Sequence, residues 1–64
     1  MNFIELKSKN GKSVLINLSC VTCIMQDSNG MATVCFDGEE YIDLNEKYDD
    51  LITSIEAMQR RNGR

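Results

Sequence analysis

Three cysteines carry the most reactive side chains of this 64-residue sequence. Cys20 and Cys23 form a Cys-x-x-Cys motif, and Cys35 lies in the next apolar segment. Such a motif serves as a redox pair when its first cysteine begins a helix, or as half of a zinc site. This one lies in a β-rich segment, where residues three apart point to opposite faces, and the chain has no histidine or fourth cysteine. We therefore predict thiols buried in strand packing, with no metal and no cofactor.

Acidic residues are the second candidates for chemistry. They are Glu39, Glu40, Asp43, Glu46, Asp49 and Asp50. Paired acids transfer protons when burial places their pKa values suitably. Here one pair follows a turn and the other falls at the start of a predicted helix, where acids serve solubility and the helix dipole. No glycine-rich phosphate loop or nucleophile elbow is present either, so the sequence predicts no catalytic residues and no enzyme.

The basic side chains offer a third chemistry, because lysine and arginine pair with phosphate groups. They are Lys7, Lys9, Lys12, Lys47, Arg60, Arg61 and Arg64. They are interpreted either as a solvated rim or as groups that subunits of an oligomer bring together around a small anionic, nucleotide-like ligand. The binding residues predicted for that ligand are Lys7, Lys47, Tyr48 and Arg60.

Charge and aromatic content argue against a nucleic-acid partner. Seven basic residues face ten acidic ones, which gives a formal net charge of −3. This net negative charge repels a polyanion such as a nucleic acid. The aromatic residues, two phenylalanines and two tyrosines, also provide few platforms for base stacking.

Three turn signals divide the first two thirds of the chain into five short strands. Asn10-Gly11 and Asp37-Gly38 are combinations that favour tight hairpins, and Ser28–Gly30 marks a turn between them. The strands, within about residues 2–44, are predicted to form a twisted antiparallel meander, either open or curled into a partial barrel.

Two-residue loops at the first and third turns would fix the pairing of the strands. The first loop predicts that Leu6 faces Leu15. The third predicts that Val34 faces Tyr41.

The hydrophobic period changes to that of a helix from about Glu46 to about Arg61. One helix face collects the apolar residues Tyr48, Leu51, Ile52, Ile55 and Met58. Asn45 is the predicted N-cap and Asn62-Gly63 the predicted stop. The predicted fold class is therefore α+β: one domain, residues 1–64, with a five-stranded antiparallel sheet and one C-terminal helix.

Apolar residues occur on both faces of this predicted sheet, although one helix can cover only one face. One set is Phe3, Val14, Ile16 and Leu18, and the other is Val21, Cys23, Met25, Met31, Thr33 and Cys35. A chain of this length also buries only about 60% of the surface that its unfolded form exposes. We therefore predict a homo-oligomer that associates through the uncovered face or through strand edges.

The compartment is predicted from the thiols and the start of the chain. An odd number of cysteines makes a poor disulfide framework, and free thiols are typical of a reducing compartment. The N-terminal segment MNFIELKSKN does not resemble a signal peptide, and no apolar stretch approaches the length of a membrane span. The sequence predicts a cytoplasmic protein without membrane insertion.

The pattern as a whole resembles the small flagellar FlbD-type family. The matching segments are FIELKSKNGK with its Asn10-Gly11 turn, LIN at residues 15–17, TVCFDGEEYIDL at residues 33–44 and the helix NEKYDDLITSI at residues 45–55. The resemblance implies a small cytoplasmic, non-enzymatic protein that assists the flagellar motor or swarming. The three cysteines and Asn45-Glu46-Lys47 depart from the family's pattern. Similar short β-rich chains are also common in phage genomes.

Two functions remain open from the sequence. The first is a homo-oligomeric, non-enzymatic binding module that acts as a protein–protein adaptor or accessory protein. The second is a phage-type sponge that sequesters a small nucleotide-like signalling molecule at a subunit interface and so blocks host defence. The partner is accordingly a host or cellular protein in one case and a small anion in the other.

Overall fold

A computed structural model of the chain describes the backbone of residues 2–62 and the side chains of residues 2–60. The described residues form five strands, two 3-10 turns and one α-helix. The strands are β1 (Phe3–Lys7), β2 (Ser13–Asn17), β3 (Val21–Gln26), β4 (Met31–Phe36) and β5 (Tyr41–Lys47); the helix is α1 (Tyr48–Asn62). The 3-10 turns are Leu18–Cys20 and Asp37–Glu39. The predicted α+β class with a C-terminal helix is confirmed.

The strands form two antiparallel sheets, so the prediction of a single five-stranded sheet is wrong. One sheet pairs β1 with β2, and the other has the order β3-β4-β5. The sheets meet at an isolated bridge between Ser8 and Leu44, where the Lys9 N–H also donates to the Asp43 carbonyl at 2.9 Å. Because β1 ends there, the ladder does not continue and the two sheets stay separate.

Both predicted hairpin registers are wrong by one residue. The first loop runs from Ser8 to Lys12, because the Ser8 N–H donates to the Lys12 carbonyl, and Leu6 therefore faces Val14. The Ser8 hydroxyl, which donates to the Asn10 side chain and accepts from the Lys12 N–H, supports this wider loop. A shift of one residue reverses which face a side chain occupies, and here it places Ile4, Leu6, Val14 and Ile16 together on the face that meets the core.

The third loop is widened in the same way. The Phe36 N–H donates to the Glu40 carbonyl at 2.8 Å, so Val34 faces Ile42 rather than Tyr41. Gly38 has a φ of 78°, a conformation that costs glycine little. The predicted turn at Ser28–Gly30 is present between β3 and β4.

The helix begins two residues later than predicted, and Asn45 is not its N-cap. β5 continues to Lys47, which pairs with Met31, and the Tyr48 N–H then donates to the Gly30 carbonyl at 2.9 Å. Strand pairing therefore overrides the capping preference of Asn45. Gly63 and Arg64 lie outside the described residues, as do the side chains of Arg61 and Asn62.

The core lies between the inner faces of the sheets and one stripe of α1. Its buried members are Leu6, Ile16, Ala32, Val34, Leu44 and Leu51. Tyr48 and Ile55 of α1 pack against this cluster, and Ile52 and Met58 are also partly buried, which confirms the predicted helix face. Every strand except β3 contributes a residue to this buried cluster. The opposite faces of both sheets take no part in it.

Candidate functional site: the outer face of the three-stranded sheet

Side chains on the side of β3-β4-β5 that points away from α1 form two rows across all three strands. The rows are Cys23–Cys35–Tyr41 and Met25–Thr33–Asp43, and these six residues are called the outer face. Within each row the residues are direct partners in the strand register. Direct partners in antiparallel strands project to the same side, so the rows form one continuous surface.

Large apolar side chains at the edges of the outer face are open to solvent. Met25 is 51% exposed and Tyr41 is 64% exposed. Thr33, in the central strand, is only 8% exposed, and its hydroxyl donates to Asp43 Oδ1 at 2.8 Å. The one carboxylate on this surface therefore already has a hydrogen-bond donor within the protein.

The three thiols are less buried than predicted. Cys20 and Cys23 are exposed and Cys35 is partly buried, so the prediction that the motif cysteines are buried is wrong. Cys20 lies in the first 3-10 turn, where Asn17 Nδ2 donates to its sulfur at 3.5 Å. Cys23 and Cys35 lie opposite each other on β3 and β4. A hydrogen bond with Cys23, together with partial burial and the nearby charge of Cys23, raises the pKa of Cys35.

A shallow cleft of about 380 Å³ adjoins the outer face where the loop after β1 meets β5. It is lined by Ser8, Lys9, Asn10, Tyr41, Ile42 and Asp43. The volume is in the range of small-molecule sites. The cleft is open to solvent, and its lining contains one lysine and one carboxylate, so the walls carry no net excess of positive charge for an anion.

The lysine of the cleft is directed towards the loop between β3 and β4. Lys9 Nζ lies 4.0 Å from Asp27 Oδ2. Asp27 Oδ1 accepts from the Met31 N–H at 2.9 Å and from the Asn29 N–H at 2.8 Å. These backbone donors, the Met31 N–H foremost, and the charge of Lys9 outweigh partial burial and lower the pKa of Asp27. Asp27 therefore organises one loop and connects it to the neighbouring sheet.

The four residues predicted to bind an anion do not form one site within the chain. Lys7 ends β1 and Lys47 ends β5, and both are exposed. Tyr48 packs against the core from the first turn of α1. Arg60 is twelve residues further along α1, which is roughly 18 Å at 1.5 Å per residue. None of the four lines the cleft.

The acidic residues occupy the predicted kinds of position. Glu39 and Glu40 are exposed at the last turn, and Asp49 and Asp50 are exposed in the first turn of α1. Within residues 2–60, no three cysteine or acidic side chains lie close enough together to hold a metal ion.

A second exposed apolar surface lies on the far side of β1 and β2. Phe3 is 41% exposed and Leu15 is 67% exposed. Glu5 is the direct partner of Leu15, and Lys7 lies further along the same face. This surface is called the hairpin face, and it mixes apolar with charged side chains.

The cross-strand thiol pair and the cleft were missed by the sequence reasoning. The cleft depends on contact between β1 and β5, which no local pattern reveals. The thiol pair does have a signal, because Cys23 and Cys35 are each six residues from Asn29, the centre of the middle turn. Equal distances from a hairpin turn place residues opposite each other.

Within the described residues, no helix is long and apolar enough to cross a membrane. Comparisons of the chain with models of protein families, with curated proteins and with solved structures find no match. The resemblance to the FlbD-type family therefore stays a prediction from the sequence.

Proposed function

We propose that this chain is a cytoplasmic, non-enzymatic binding module that self-associates through the outer face and presents the hairpin face to a protein partner. The observation that carries the proposal is the exposure of Met25 and Tyr41 beside a carboxylate that has one donor within the protein, the Thr33 hydroxyl. Apolar surface gains free energy when it is covered, whereas an unsatisfied carboxylate would oppose covering. The outer face has exposed apolar side chains, and its one carboxylate already has a donor within the protein.

The expected strength of self-association follows from the size of this surface. Complete burial of a fully exposed methionine-sized side chain contributes about 1.5–3 kcal/mol, and Met25 and Tyr41, which are 51% and 64% exposed, would each gain roughly half of that. Two copies would bury two Met25 and two Tyr41 side chains, against an association cost of roughly 4–15 kcal/mol. The balance favours a reversible oligomer rather than an obligate one.

The test compares two charge substitutions on different sheets. Light scattering of the wild-type protein over a range of concentrations is expected to show mass increasing above that of one chain. Met25→Lys should weaken this association at least tenfold, because it places a charge in the apolar surface. Leu15→Lys is the matched control, since it adds the same charge at an exposed position of the hairpin face and should leave association unchanged. A single-chain mass at every concentration, or equal effects of both variants, would refute the proposal.

The hairpin face suits a different kind of contact. Phe3 and Leu15 provide apolar anchors, and Glu5 and Lys7 provide charges that give direction and selectivity. An adaptor or accessory role, as in the flagellar family that the sequence resembles, would use such a surface. Flagellar genes beside the gene for this chain would support that role, and phage genes would favour the ligand sponge.

The sponge is retained as a second candidate because of the cleft beside Lys9. Lys7, Lys47, Tyr48 and Arg60 could contribute only if different subunits bring them together. Calorimetric titration with cyclic nucleotides and ADP-ribose derivatives tests this function. A sponge that uses this cleft predicts heat that Lys9→Met abolishes and Lys12→Met preserves, whereas an adaptor predicts no heat with any compound.

A further inference from the structure

Two thiols lie side by side on the outer face. Cys23 of β3 and Cys35 of β4 are direct partners in the strand register, so both side chains project from the same face of the sheet. Cys23 is exposed, so a reagent in solution can reach the pair.

The separation of such partners suits a disulfide. Directly opposed residues of antiparallel strands have Cα atoms about 4.5–5.5 Å apart, within the roughly 4.4–6.8 Å that disulfides require. Their Cβ atoms are about 4.5–5.5 Å apart, slightly more than the usual 3.5–4.5 Å. The strands must therefore close up a little, and disulfides formed under such strain are readily reduced.

The third thiol is placed elsewhere. Cys20 lies in the 3-10 turn before β3, outside both rows of the outer face, and its sulfur accepts from Asn17. The spacing of the Cys-x-x-Cys motif therefore does not identify the pair; the strand register does.

We propose that Cys23 and Cys35 form a reversible cross-strand disulfide by exchange with a small-molecule disulfide of the glutathione type. The Cys23 thiolate attacks one sulfur of the reagent, forms a mixed disulfide and releases the first glutathione thiolate. The Cys35 thiolate then attacks Cys23 Sγ and releases the second. The two protein thiols lose two electrons and two protons in all, and the reagent becomes two reduced thiols.

The surroundings of the two thiols give the order of attack. Cys23 is the more exposed, so it meets the reagent first. The hydrogen bond with Cys23 is the foremost cause that raises the pKa of Cys35. Once Cys23 is part of a mixed disulfide, its thiol hydrogen bond is gone and Cys35 becomes the resolving nucleophile.

This chemistry does not depend on self-association, but an oligomer that covers the outer face would shield the pair. The reaction is therefore run on the full chain at a dilution where light scattering gives the mass of one chain. Under that condition, failure of the exchange refutes only the thiol proposal.

The test uses oxidised glutathione and mass spectrometry. The expected product is one chain lighter by two hydrogen atoms, and reduced glutathione should restore the original mass. A protease that cleaves before aspartate at positions 27 and 37 separates residues 1–26, with Cys20 and Cys23, from residues 27–36, with Cys35. In the Cys20→Ser variant, a link between those two peptides can only join Cys23 to Cys35.

Substitutions complete the test. Cys20→Ser should form the link as the wild type does, whereas Cys23→Ser should reduce its yield at least tenfold; Cys35→Ser leaves residues 27–36 without a cysteine and serves as the blank. When Cys20→Ser is combined with Cys35→Ser, the reaction should stop at a glutathione adduct on Cys23. The proposal is overturned by a link confined to residues 1–26, by chains joined to one another, or by mixed adducts that never resolve in the Cys20→Ser protein.

Discussion

The outer face and the hairpin face are both exposed sheet surfaces with large apolar side chains, but they treat polar groups differently. On the hairpin face, Glu5 and Lys7 are exposed to water. On the outer face, the Asp43 carboxylate is exposed as well, but it also accepts from the buried Thr33 hydroxyl. Covering a charge that has no partner is costly, whereas a group that already has a protein donor loses less when water leaves. Apolar area alone therefore does not distinguish these two surfaces; the satisfaction of their polar groups does.

The largest expected effect concerns the core that supports both faces. Leu44 has no exposed surface, and its strand contacts Ser8, the residue directly after β1. Leu44→Ala should lower the free energy of unfolding by about 2–5 kcal/mol, because it leaves a cavity between the sheets. Urea unfolding at one fixed protein concentration measures the change. Leu15→Ala, at an exposed position, is the control and should cost less than about 0.5 kcal/mol. Similar losses for both variants would mean that the sheets do not share this core.

The next effect tests the polar pair that separates the two faces. Thr33→Val keeps the shape of the side chain but removes the hydroxyl that donates to Asp43. The expected loss in the free energy of unfolding is about 0.5–1.5 kcal/mol, the net value of a typical hydrogen bond, because the exposed Asp43 carboxylate can accept from water once the hydroxyl is gone. Self-association should weaken as well, since the carboxylate then lacks its donor.

Thr22→Val is the matched control for that substitution. The Thr22 hydroxyl is exposed and donates to the Cys35 carbonyl at 3.3 Å. Equal losses in the free energy of unfolding for both variants would mean that the Thr33–Asp43 hydrogen bond has no special role on the outer face.

A smaller effect concerns acid unfolding through Asp27, which connects the loops of the two sheets. Its pKa is lower in the folded protein than the ordinary value of 3.8, so its contribution to stability is present above that value. The contribution is lost as pH falls through the lowered pKa of the folded state. In Asp27→Asn the free energy of unfolding should be lower at neutral pH. It should also lack the part of its decrease at acid pH that comes from protonation of Asp27. Unfolding curves between neutral pH and pH 2 measure it, and an unchanged acid limb would contradict the assignment.

The smallest effect is expected from the ion pair itself. Lys9 Nζ and Asp27 Oδ2 are 4.0 Å apart, and the Lys9 side chain is 59% exposed. Exposed pairs contribute about 0–1 kcal/mol, so Lys9→Met should change the free energy of unfolding by less than about 0.5 kcal/mol at moderate salt. A larger loss in chemical unfolding would show that the loops, rather than the shared core, hold the sheets together.

Local patterns predicted the elements of the fold but not how they meet. The turn residues located three loops, and the apolar spacing from Tyr48 to Met58 identified the buried helix face. The first register failed because the Ser8 hydroxyl supports a five-residue loop where Asn10-Gly11 favours a two-residue one. The N-cap failed because pairing with Met31 extends β5 past Asn45.

The candidate site was predictable only in part. Apolar residues on both sides of a sheet correctly indicated that a surface would stay uncovered, and Met25 belongs to it. The adjacency of Cys23 and Cys35 required the register of β3 and β4, which the Cys-x-x-Cys spacing obscured. The predicted anion-binding residues were chosen by type and charge, and the distance along α1 separates Arg60 from the others.

The bridge between Ser8 and Leu44 has a consequence for the order in which the protein assembles. These residues are 36 positions apart in the sequence, so their contact closes a long loop and forms slowly compared with a hairpin. The β1–β2 hairpin can pair early from its own residues, but Leu6 and Ile16 remain exposed to solvent until β5 packs against them. The apolar side of the first hairpin is therefore buried only after β5, a distant segment of the sequence, has joined it.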